Sequence, residues 1–378
     1  MATAAVAKQE KVASAKRQRI LGQVFVNGTL LLLVLIWTVP TIGLLVSSFR
    51  TREVINTSGW WQVLPHRSWK VTESLPVPQG LDTQGVMTIE GATGTFEQFR
   101  EGIESADGDT RVRWIGNRRR GTIELQELKW TTEADLTLDN YQTVIAGKQY
   151  TIQRADGTSE VVQGSDMSGA FMNSLVVTIP STIIPILIAA FAAYGFAWMR
   201  FPGRKLFFAV VVAMLVVPLQ IALVPILRAY VKLELNGEFL AVWLAHTGFG
   251  LALATYLLFN YISLLPRDIF ESAFLDGASH FTIFQKVVIP LSVPALASFG
   301  IFQFLWVWND YLVALIFIGE KQDAQVMTMR LAGLVGSRGA DWHLLTAAAF
   351  VTMLVPLAVF FALQRYFVRG MLAGSVKG

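Results

Sequence analysis

The feature that most constrains this chain is a series of long apolar stretches with almost no charged side chains. A helix that crosses the hydrocarbon core of a bilayer needs roughly 20 mostly apolar residues. Six stretches satisfy this requirement: Ile20–Phe49, Met167–Met199, Leu206–Leu227, Phe239–Leu265, Val287–Gly319 and Trp342–Leu363. Only 15% of the 378 residues are charged, against about 25% in a typical soluble domain. The sequence therefore predicts an all-α polytopic membrane protein with six transmembrane helices.

Lysine and arginine predict the orientation of these helices. Residues 1–19 form a basic arm, and the apolar stretch that follows is too long for a secretory signal and lacks a clear cleavage site, so we interpret it as an uncleaved anchor spanning 20–49. Short cytoplasmic loops are enriched in Lys and Arg. With the N-terminus inside, the basic segment Arg200–Lys205 also lies inside. Six spans then place both termini and the segment around Glu271 in the cytoplasm.

The polar segment 50–165 separates the first span from the second. Alternating apolar and polar residues in "VMTIEG", "RVRWIG" and "TIELQEL" are typical of strands, and Asp156-Gly157 marks a hairpin turn. We predict a small, mostly β extracytoplasmic domain inserted before a core at 166–368. The basic run Arg111–Arg120 is either a polyanion site or a solvated hairpin face. We favour the solvated face and expect no nucleic acid as a partner.

A short segment at about 266–286 lies between two spans and carries an apolar periodicity. Five residues fall at helical spacing: Phe270, Phe274, Ala278, Phe281 and Gln285. Apart from the glutamine, they predict one apolar face of a short helix, with Gly277 as the point where it can bend. Pro290 and Pro294 are expected to break the start of the next span. An exposed apolar ridge indicates either a docking surface or a helix that lies on lipid headgroups.

The sequence "ESAFLDGASHFTIFQKVVIP" resembles the cytoplasmic signature of permease subunits in binding-protein-dependent ABC importers. The matching positions are Glu271, Ala273, Gly277, Val287, Ile289 and Pro290. Ser272 replaces a small alanine of the pattern. The stretches "FMNSLVVTIPSTIIPILIAAFAAYGFAWMRFPGR", "WVWNDYLVAL" and "QRYFVRGMLAGSVKG" are similar to the maltose-type second permease of carbohydrate importers, and the long insertion after "SGWW" is similar to the α-glucoside branch.

This resemblance implies a type I importer permease fold, a bacterial inner-membrane location and a set of partners. The partners are a second permease, two ATPase subunits that bind ATP and Mg²⁺, and an extracytoplasmic sugar-binding protein. The hairpin becomes the coupling helix that seats on an ATPase, and the tail 369–378 contacts the same subunits. The residues assigned to these contacts are Glu271, Ala273, Asp276, Gly277, Ala278, Phe281 and Pro290 in the hairpin, and Gly374 and Lys377 in the tail.

No catalytic, metal or cofactor motif is present in the sequence, which lacks a phosphate-binding Gly-x-x-x-x-Gly-Lys-Ser/Thr loop. We therefore expect no enzyme activity on this chain. Four residues are candidates for the pathway or gate. Pro218 and Pro225 are expected to loosen one span. Asn309 and Asp310 place polar groups inside another, where they either face a pathway or tie helices together.

The predicted function is one permease subunit of an ATP-driven importer for an α-glucoside, maltose or trehalose-like sugar. An importer for another solute such as glycerol 3-phosphate is the nearest alternative. A membrane sensor is disfavoured because no cytoplasmic segment is long enough for a signalling domain. A secondary transporter is disfavoured because the sequence shows no internal repeat. The insertion is expected either to help dock the binding protein or to brace the permeases, and Trp60, Trp61 and Trp69 lie near the membrane exit.

Overall fold

The computed structural model describes residues 2–78, 81, 83–106, 108–118, 120–153, 159–162, 167–337 and 341–373. The described chain divides into two compact units. The first unit combines the chain up to Val46 with Arg50–Thr137, and the second combines Ser47–Phe49 with the chain from Leu138 onward.

The first unit begins with helix α1 (Ala2–Ser48). Its part from Arg17 to Ser48 is long and apolar enough to cross a membrane, because no charged residue occurs between Ile20 and Phe49. The short helix α2 (Arg52–Thr57) and a 3-10 turn (Trp60–Val63) follow directly. The first predicted span is thus present.

The rest of the first unit is a small domain of strands with one short helix. In chain order its elements are β1 (His66–Pro76), β2 (Met87–Ile89), β3 (Ala92–Gly94), α3 (Phe96–Glu101), β4 (Ile103–Glu104), β5 (Thr110–Asn117) and β6 (Arg120–Thr131). Antiparallel strands form a sheet of order β1-β6-β5-β4, and β2 pairs with β3. Phe96, Phe99, Trp114 and Ile123 fill its core. The predicted mostly β insertion is therefore present.

The second unit contains the remaining elements. They are α4 (Asp139–Ala146), β7 (Tyr150–Gln153), β8 (Ser159–Val162), α5 (Met167–Trp198), α6 (Arg204–Ala213), α7 (Leu219–Lys232), α8 (Phe239–Ile262), α9 (Arg267–Leu275), α10 (His280–Ile283), α11 (Ile289–Trp308), α12 (Leu312–Ile318), α13 (Met327–Ser337) and α14 (Trp342–Ala373). Strands β7 and β8 form the expected antiparallel hairpin, while its turn at Asp156-Gly157 lies outside the described residues.

The boundary of the insertion differs from the predicted residue 165. Helix α4 packs against α5 and α14, and its Val144 is buried in a core cluster together with Met167 and Ala347. The second unit therefore starts at Leu138. The amphipathic character of α4 explains the difference, because its apolar side joins the helical core and not the sheet.

Five helical segments of the described chain are long and apolar enough to cross a membrane, or six if one bent pair of helices counts as a single span. Besides the segment in α1, they are Met167–Trp198, Phe239–Ile262, His280–Trp308 and Trp342–Tyr366. The predicted single span Leu206–Leu227 is instead a pair of helical segments, Arg204–Val216 and Leu219–Lys232, that bend by 103°. The cause is Pro218, which disfavours helical backbone angles at the preceding residue, and Val217 has φ −73° and ψ 117°.

The predicted span Val287–Gly319 also ends earlier than expected. Helix α11 stops at Trp308, and the short α12 follows after a turn. The Asp310 carboxylate accepts a hydrogen bond from the backbone N–H of Ala314 at 3.1 Å. This side chain therefore supports the first turn of a separate helix, which is why the apolar stretch is not one continuous helix.

Close helix packing holds the second unit together. Helix α5 packs along α8 and α11, and α11 packs along α14. Ala189, Ala190 and Ala193 of α5 are buried at this contact, and small side chains allow helix backbones to approach closely in membranes. The C-terminal end of α5 thereby becomes a fixed support for the hairpin that follows α8.

Candidate coupling hairpin and membrane cavity

The candidate coupling hairpin consists of α9, a turn at Asp276–Ser279, and α10. Gly277 has φ +77°, its N–H donates to the carbonyl of Phe274 at 3.0 Å, and the N–H of Ala278 donates to the carbonyl of Ala273 at 3.0 Å. This pair of bonds defines a Schellman ending, which places glycine in the left-handed conformation. The predicted bend at Gly277 is thus a fixed helix ending.

The second helix of the hairpin starts immediately after this turn. The Ser279 hydroxyl accepts a hydrogen bond from the N–H of Thr282 at 3.2 Å, as expected of a helix N-cap. The prediction that Phe270, Phe274, Ala278 and Phe281 form one apolar face of a single helix is therefore wrong. Helical spacing places these residues on one face only if the helix is continuous across residues 270–285. The left-handed Gly277 reverses the chain in the middle of that range.

Aromatic side chains clamp the hairpin onto the C-terminal end of α5. Trp198 stacks on Phe270 with ring centroids 3.7 Å apart and 13° between planes, and the Trp198 indole donates to the carbonyl of Ile262 at 3.2 Å. The Tyr194 hydroxyl lies 2.8 Å from Nδ1 of His280. Phe270 is fully buried. Both helices of the hairpin are thus tied to α5.

The remaining side chains of the hairpin form an exposed surface of mixed character. Phe281 is 64% exposed and Leu275 is 88% exposed, beside a partly covered Phe274. The carboxylates of Glu271 and Asp276 are also exposed, while Ala273 and Ala278 are half-buried under the hairpin. This surface carries apolar groups at the tip and acidic groups around them.

Leu275 was missed in the sequence because it lies off the periodic face of the predicted single helix. Its position as the last residue of α9, directly before the Schellman turn, was the available signal. A residue at that point projects from the tip of a helical hairpin and not from its side.

Pro290 does not break the span that follows the hairpin, contrary to expectation. Residues Phe284–Val288 form a π-helical turn that leads without interruption into α11, and His280–Trp308 is one continuous span. A proline ring clashes with the carbonyl four residues earlier in a regular α-helix. The wider π-turn accommodates Pro290, and Pro294 lies farther along the same helix.

The bend between α6 and α7 lies beside a cavity of about 500 Å³. Its lining includes Val217 and Leu219 at the bend, Tyr230 of α7, and Phe302 and Trp306 of α11. Pro218 is the N-cap of α7, whereas Pro225 lies inside α7, which continues through it. The two prolines therefore differ: only Pro218 is located at the change of direction.

Gln303 of α11 is the polar side chain that sequence reasoning missed. It is fully buried, it lines the cavity, and its Nε2 donates to the carbonyl oxygens of Ser181 at 3.2 Å and His246 at 3.4 Å. A side chain added at Gly250 would collide with its amide at 2.7 Å. A lone glutamine in an otherwise apolar stretch was the available signal.

Asn309 and Asp310 lie at the end of α11, away from the middle of the span. Asn309 Nδ2 donates to the carbonyl of Leu305 at 2.8 Å. The Asp310 carboxylate lies 3.7 Å from Nε2 of His246 in α8. The backbone carbonyl of Asp310 accepts a hydrogen bond from the Thr328 hydroxyl at 2.6 Å. These contacts join α8, α12 and α13, and they favour a role in tying helices together.

The predicted tail contacts Gly374 and Lys377 lie outside the described residues. Helix α14 reaches Ala373. Among the described residues, no group of three or more His, Cys, Asp or Glu side chains is arranged to hold a metal ion.

The described arginine side chains of the basic run, at 111, 113 and 118, have partners within the insertion. Arg111 lies 4.6 Å over the Trp69 ring and donates to Gln126. Arg113 donates to the carbonyl of Arg100. Arg118 pairs with Glu97 at 3.5 Å. These intradomain partners support a structural hairpin face, which is the interpretation favoured from the sequence.

Comparison with known proteins identifies the class of this chain. Residues 171–373 match the family described as "Binding-protein-dependent transport system inner membrane component". The alpha-glucoside transport system permease protein AglG of Rhizobium meliloti (strain 1021) is 46% identical over 389 residues, which cover 93% of this chain and 97% of that protein. The osmoprotective compounds uptake permease protein GgtD of Synechocystis sp. (strain ATCC 27184 / PCC 6803 / Kazusa) is 44% identical over 92% of this chain and 90% of that protein.

A third relative matches a shorter part of the chain. The probable ABC transporter permease protein PH1036 of Pyrococcus horikoshii (strain ATCC 700860 / DSM 12428 / JCM 9974 / NBRC 100139 / OT-3) is 42% identical over 54% of this chain and 74% of that protein. The chain belongs to the family of inner membrane components of binding-protein-dependent transport systems. It is a multi-pass inner-membrane permease, which confirms the resemblance seen in the sequence.

Proposed function

We propose that this chain is one permease subunit of an ATP-driven importer for a carbohydrate of the α-glucoside type. Its similarity to AglG over 93% of the chain supports this substrate class. The structure of the hairpin supports a coupling role. Its tip is exposed, and the stack between Trp198 and Phe270 holds its first helix on α5. A hairpin built in this way can transmit a push from a partner subunit to the spans.

The proposed orientation places both termini and the hairpin in the cytoplasm and the insertion outside. The hairpin and the tail, including Gly374 and Lys377, then face two ATPase subunits that bind and hydrolyse ATP with Mg²⁺. A second permease completes the translocation path, and lipid surrounds the spans. The support is the distribution of Lys and Arg, with Arg200–Lys205 on the same side as the basic N-terminal arm.

Cysteine labelling tests this orientation directly, because the natural chain contains no cysteine. A membrane-impermeant thiol reagent applied to intact spheroplasts should label Thr110→Cys and should not label Leu275→Cys. Permeabilised cells that lack the ATPase provide the control in which both positions react, because a docked ATPase would cover position 275. Labelling at 275 but not at 110 in intact spheroplasts would reverse the orientation and remove the coupling role.

In the proposed mechanism, the hairpin and α5 transmit motion through the second unit, and the bend at Pro218 changes its angle in response. Closure of the ATPases moves the hairpin, and the aromatic clamp moves α5 with it. The bend at Pro218 lies next to the cavity that includes Gln303, so a change of angle there changes the volume open to solute. In this mechanism the chain performs no bond chemistry.

The substrate class is tested by uptake in a strain that lacks the gene for this chain and carries it on a plasmid. We expect complementation to restore uptake of labelled maltose or trehalose, and to leave uptake of the β-linked disaccharide cellobiose unchanged. The second candidate function is uptake of osmoprotective compounds, which the similarity to GgtD favours. Uptake that appears only at high external osmolarity would support that candidate over sugar import for nutrition.

We further propose that the insertion helps to dock the substrate-binding protein, because the chain links it to the first and second spans on one side of the membrane. His66 and Thr131 are directly paired at the start of β1 and the end of β6, and paired Cα atoms lie about 5 Å apart. A short Gly/Ser linker can therefore replace residues 67–130 without leaving an unpaired strand. Docking predicts that more binding protein is then needed to stimulate ATP hydrolysis, and an unchanged dependence would leave only a bracing role.

A further inference from the structure

The chain turns back against α1 directly after it leaves the first span. Trp60 covers Gly43, and a side chain at Gly43 would lie only 2.7 Å from the Trp60 indole nitrogen. Gly43 precedes the end of α1 at Ser48 by about 7.5 Å of helix. The apolar residues Leu44–Val46 still follow it. Trp60 is therefore held at a level where α1 still has the composition of a membrane span.

A buried arginine fastens this return of the chain. The Arg50 guanidinium donates to the backbone carbonyls of Ser58 at 3.0 Å and Val54 at 3.2 Å, and also to the Ser58 hydroxyl. Burial lowers the pKa of Arg50, and the carboxylate of Glu133 opposes that shift. These bonds cap the C-terminal end of α2, where the helix dipole favours a cation. The segment from Arg50 to Trp60 is thus a loop whose conformation these hydrogen bonds hold.

Two large apolar side chains project from the end of this loop. Trp61 is 60% exposed and Leu64 is also exposed. Trp61 is oriented by Gly59, because its ring lies where a side chain at Gly59 would be. In contrast, Trp69 in the adjoining strand is covered by Arg111 at 4.6 Å. Trp61 is therefore an exposed tryptophan that directly follows, in the sequence, the tryptophan that packs on α1.

We propose that the turn Trp60–Leu64 is an interfacial anchor, with Trp61 and Leu64 placed in the lipid headgroup region of the leaflet on the side of the insertion. Tryptophan is enriched at that depth because its ring combines an apolar body with a polar N–H. Lipid is the proposed contact of these side chains because the loop is continuous with α1, and Trp60 packs on Gly43 within the span itself. A headgroup layer can cover both exposed side chains without any protein partner.

Spin labels on single cysteines test the anchor in the full chain, which has no native cysteine. The labelled positions are Trp61→Cys and Leu64→Cys, and the matched control is Val86→Cys, an exposed apolar residue at 69% in the same domain. Each protein is reconstituted in vesicles of phosphatidylethanolamine and phosphatidylglycerol. Collision rates are measured with oxygen, which concentrates in lipid, and with a water-soluble nickel chelate.

The anchor predicts an oxygen-to-nickel collision ratio severalfold higher at 61 and 64 than at 86. Equal, water-like ratios at all three positions would overturn it. Low collision rates with both reagents at 61 and 64 would also overturn it, because they would indicate a protein contact in place of lipid. Should Trp61→Cys fail to fold, the comparison between 64 and 86 gives the same decision.

Discussion

Two turns between helices in the second unit are built in opposite ways. At Gly277 the chain reverses within three residues, the turn closes its own backbone hydrogen bonds, and aromatic rings clamp both arms onto α5. At Val217-Pro218 the chain bends by 103°, Val216 and Val217 are exposed, and a cavity lies beside the bend.

The difference teaches which joint can change its angle. A Schellman turn with stacked supports resists deformation, because any rotation breaks hydrogen bonds and ring contacts together. A proline bend beside a void loses few contacts when its angle changes. We infer that the hairpin moves as a rigid part of α5 and that the bend at Pro218 absorbs the motion.

The largest effect is expected from a charge placed on the hairpin turn. Asparagine and aspartate both tolerate the left-handed conformation of Gly277, and the space around this position is open, so the variants Gly277→Asn and Gly277→Asp differ chiefly in charge. An unpaired charge buried by docking costs roughly 3–5 kcal/mol. We expect Gly277→Asp to abolish uptake and co-purification of the ATPase, and Gly277→Asn to retain both. If the Gly277→Asp variant still supports uptake and still co-purifies with the ATPase, the turn does not dock on that subunit.

A smaller effect is expected from loosening the clamp without touching the exposed tip. Trp198→Ala removes the stack on Phe270 and should cost less than the roughly 3–5 kcal/mol for loss of a fully buried aromatic side chain, because Trp198 is half-buried. The ATPase should still co-purify, but less solute should be transported per ATP hydrolysed. Trp198→Phe keeps a ring against Phe270 and should give an intermediate ratio of solute transported to ATP hydrolysed. An unchanged ratio in Trp198→Ala would show that the clamp does not transmit motion.

The bend should respond more mildly to loss of its proline. Pro218→Ala allows Val217 to return to helical angles, which shifts the balance between bent and straight forms by on the order of 1 kcal/mol. We expect uptake to fall severalfold without vanishing. Pro225→Ala is the matched control, because α7 already continues through that residue, and it should leave uptake unchanged.

Spin labels at positions 207 and 231, which flank the bend, measure its angle. With the observed bend of 103°, the two helix axes place these positions about 23 Å apart, against about 36 Å in a straight helix. Pro218→Ala should add a population at the longer distance. A single short distance in both proteins would show that the bend is fixed by packing and not by Pro218.

The smallest effect is expected at the joint between α11 and α12. Asp310→Asn keeps an oxygen that can accept from the Ala314 N–H, so thermal stability should change by at most about 1 kcal/mol and uptake should persist. Asp310→Ala removes that acceptor and should lower the thermal midpoint further. Loss of uptake in the asparagine variant with unchanged stability would instead assign Asp310 to the transport pathway.

The sequence predicted the apolar spans, the β-rich insertion and the site of the hairpin, because each depends on local composition or a local motif. It mispredicted the joints. Pro290 was expected to break a span and is absorbed by the π-turn at Phe284–Val288, whereas Pro218 produces a sharp bend. Val217, the residue before Pro218, leaves the helical region, whereas Ile289 before Pro290 keeps helical angles because the π-turn makes room for the proline ring.

Most residues of the candidate hairpin were predictable from the sequence, whereas Leu275 at its tip and the arrangement of its two helices were not. The spacing of Phe270 and Phe281 suggested one helix face, while the structure buries Phe270 against Trp198 and exposes Phe281. The support from α5 is remote in sequence, and no local pattern indicates it. Gln303 was overlooked for a similar reason, because its partners Ser181 and His246 belong to other helices.

The central claim is that the hairpin tip seats on an ATPase subunit, and site-specific photocrosslinking tests it most directly. A photoreactive amino acid replaces Leu275, which is 88% exposed, and Thr110 in the insertion provides the control position. We predict that irradiation of the assembled transporter links position 275 to the ATPase and leaves position 110 unlinked to it. An assembled transporter in which position 275 gives no ATPase crosslink, or crosslinks to the extracytoplasmic binding protein, would contradict the claim.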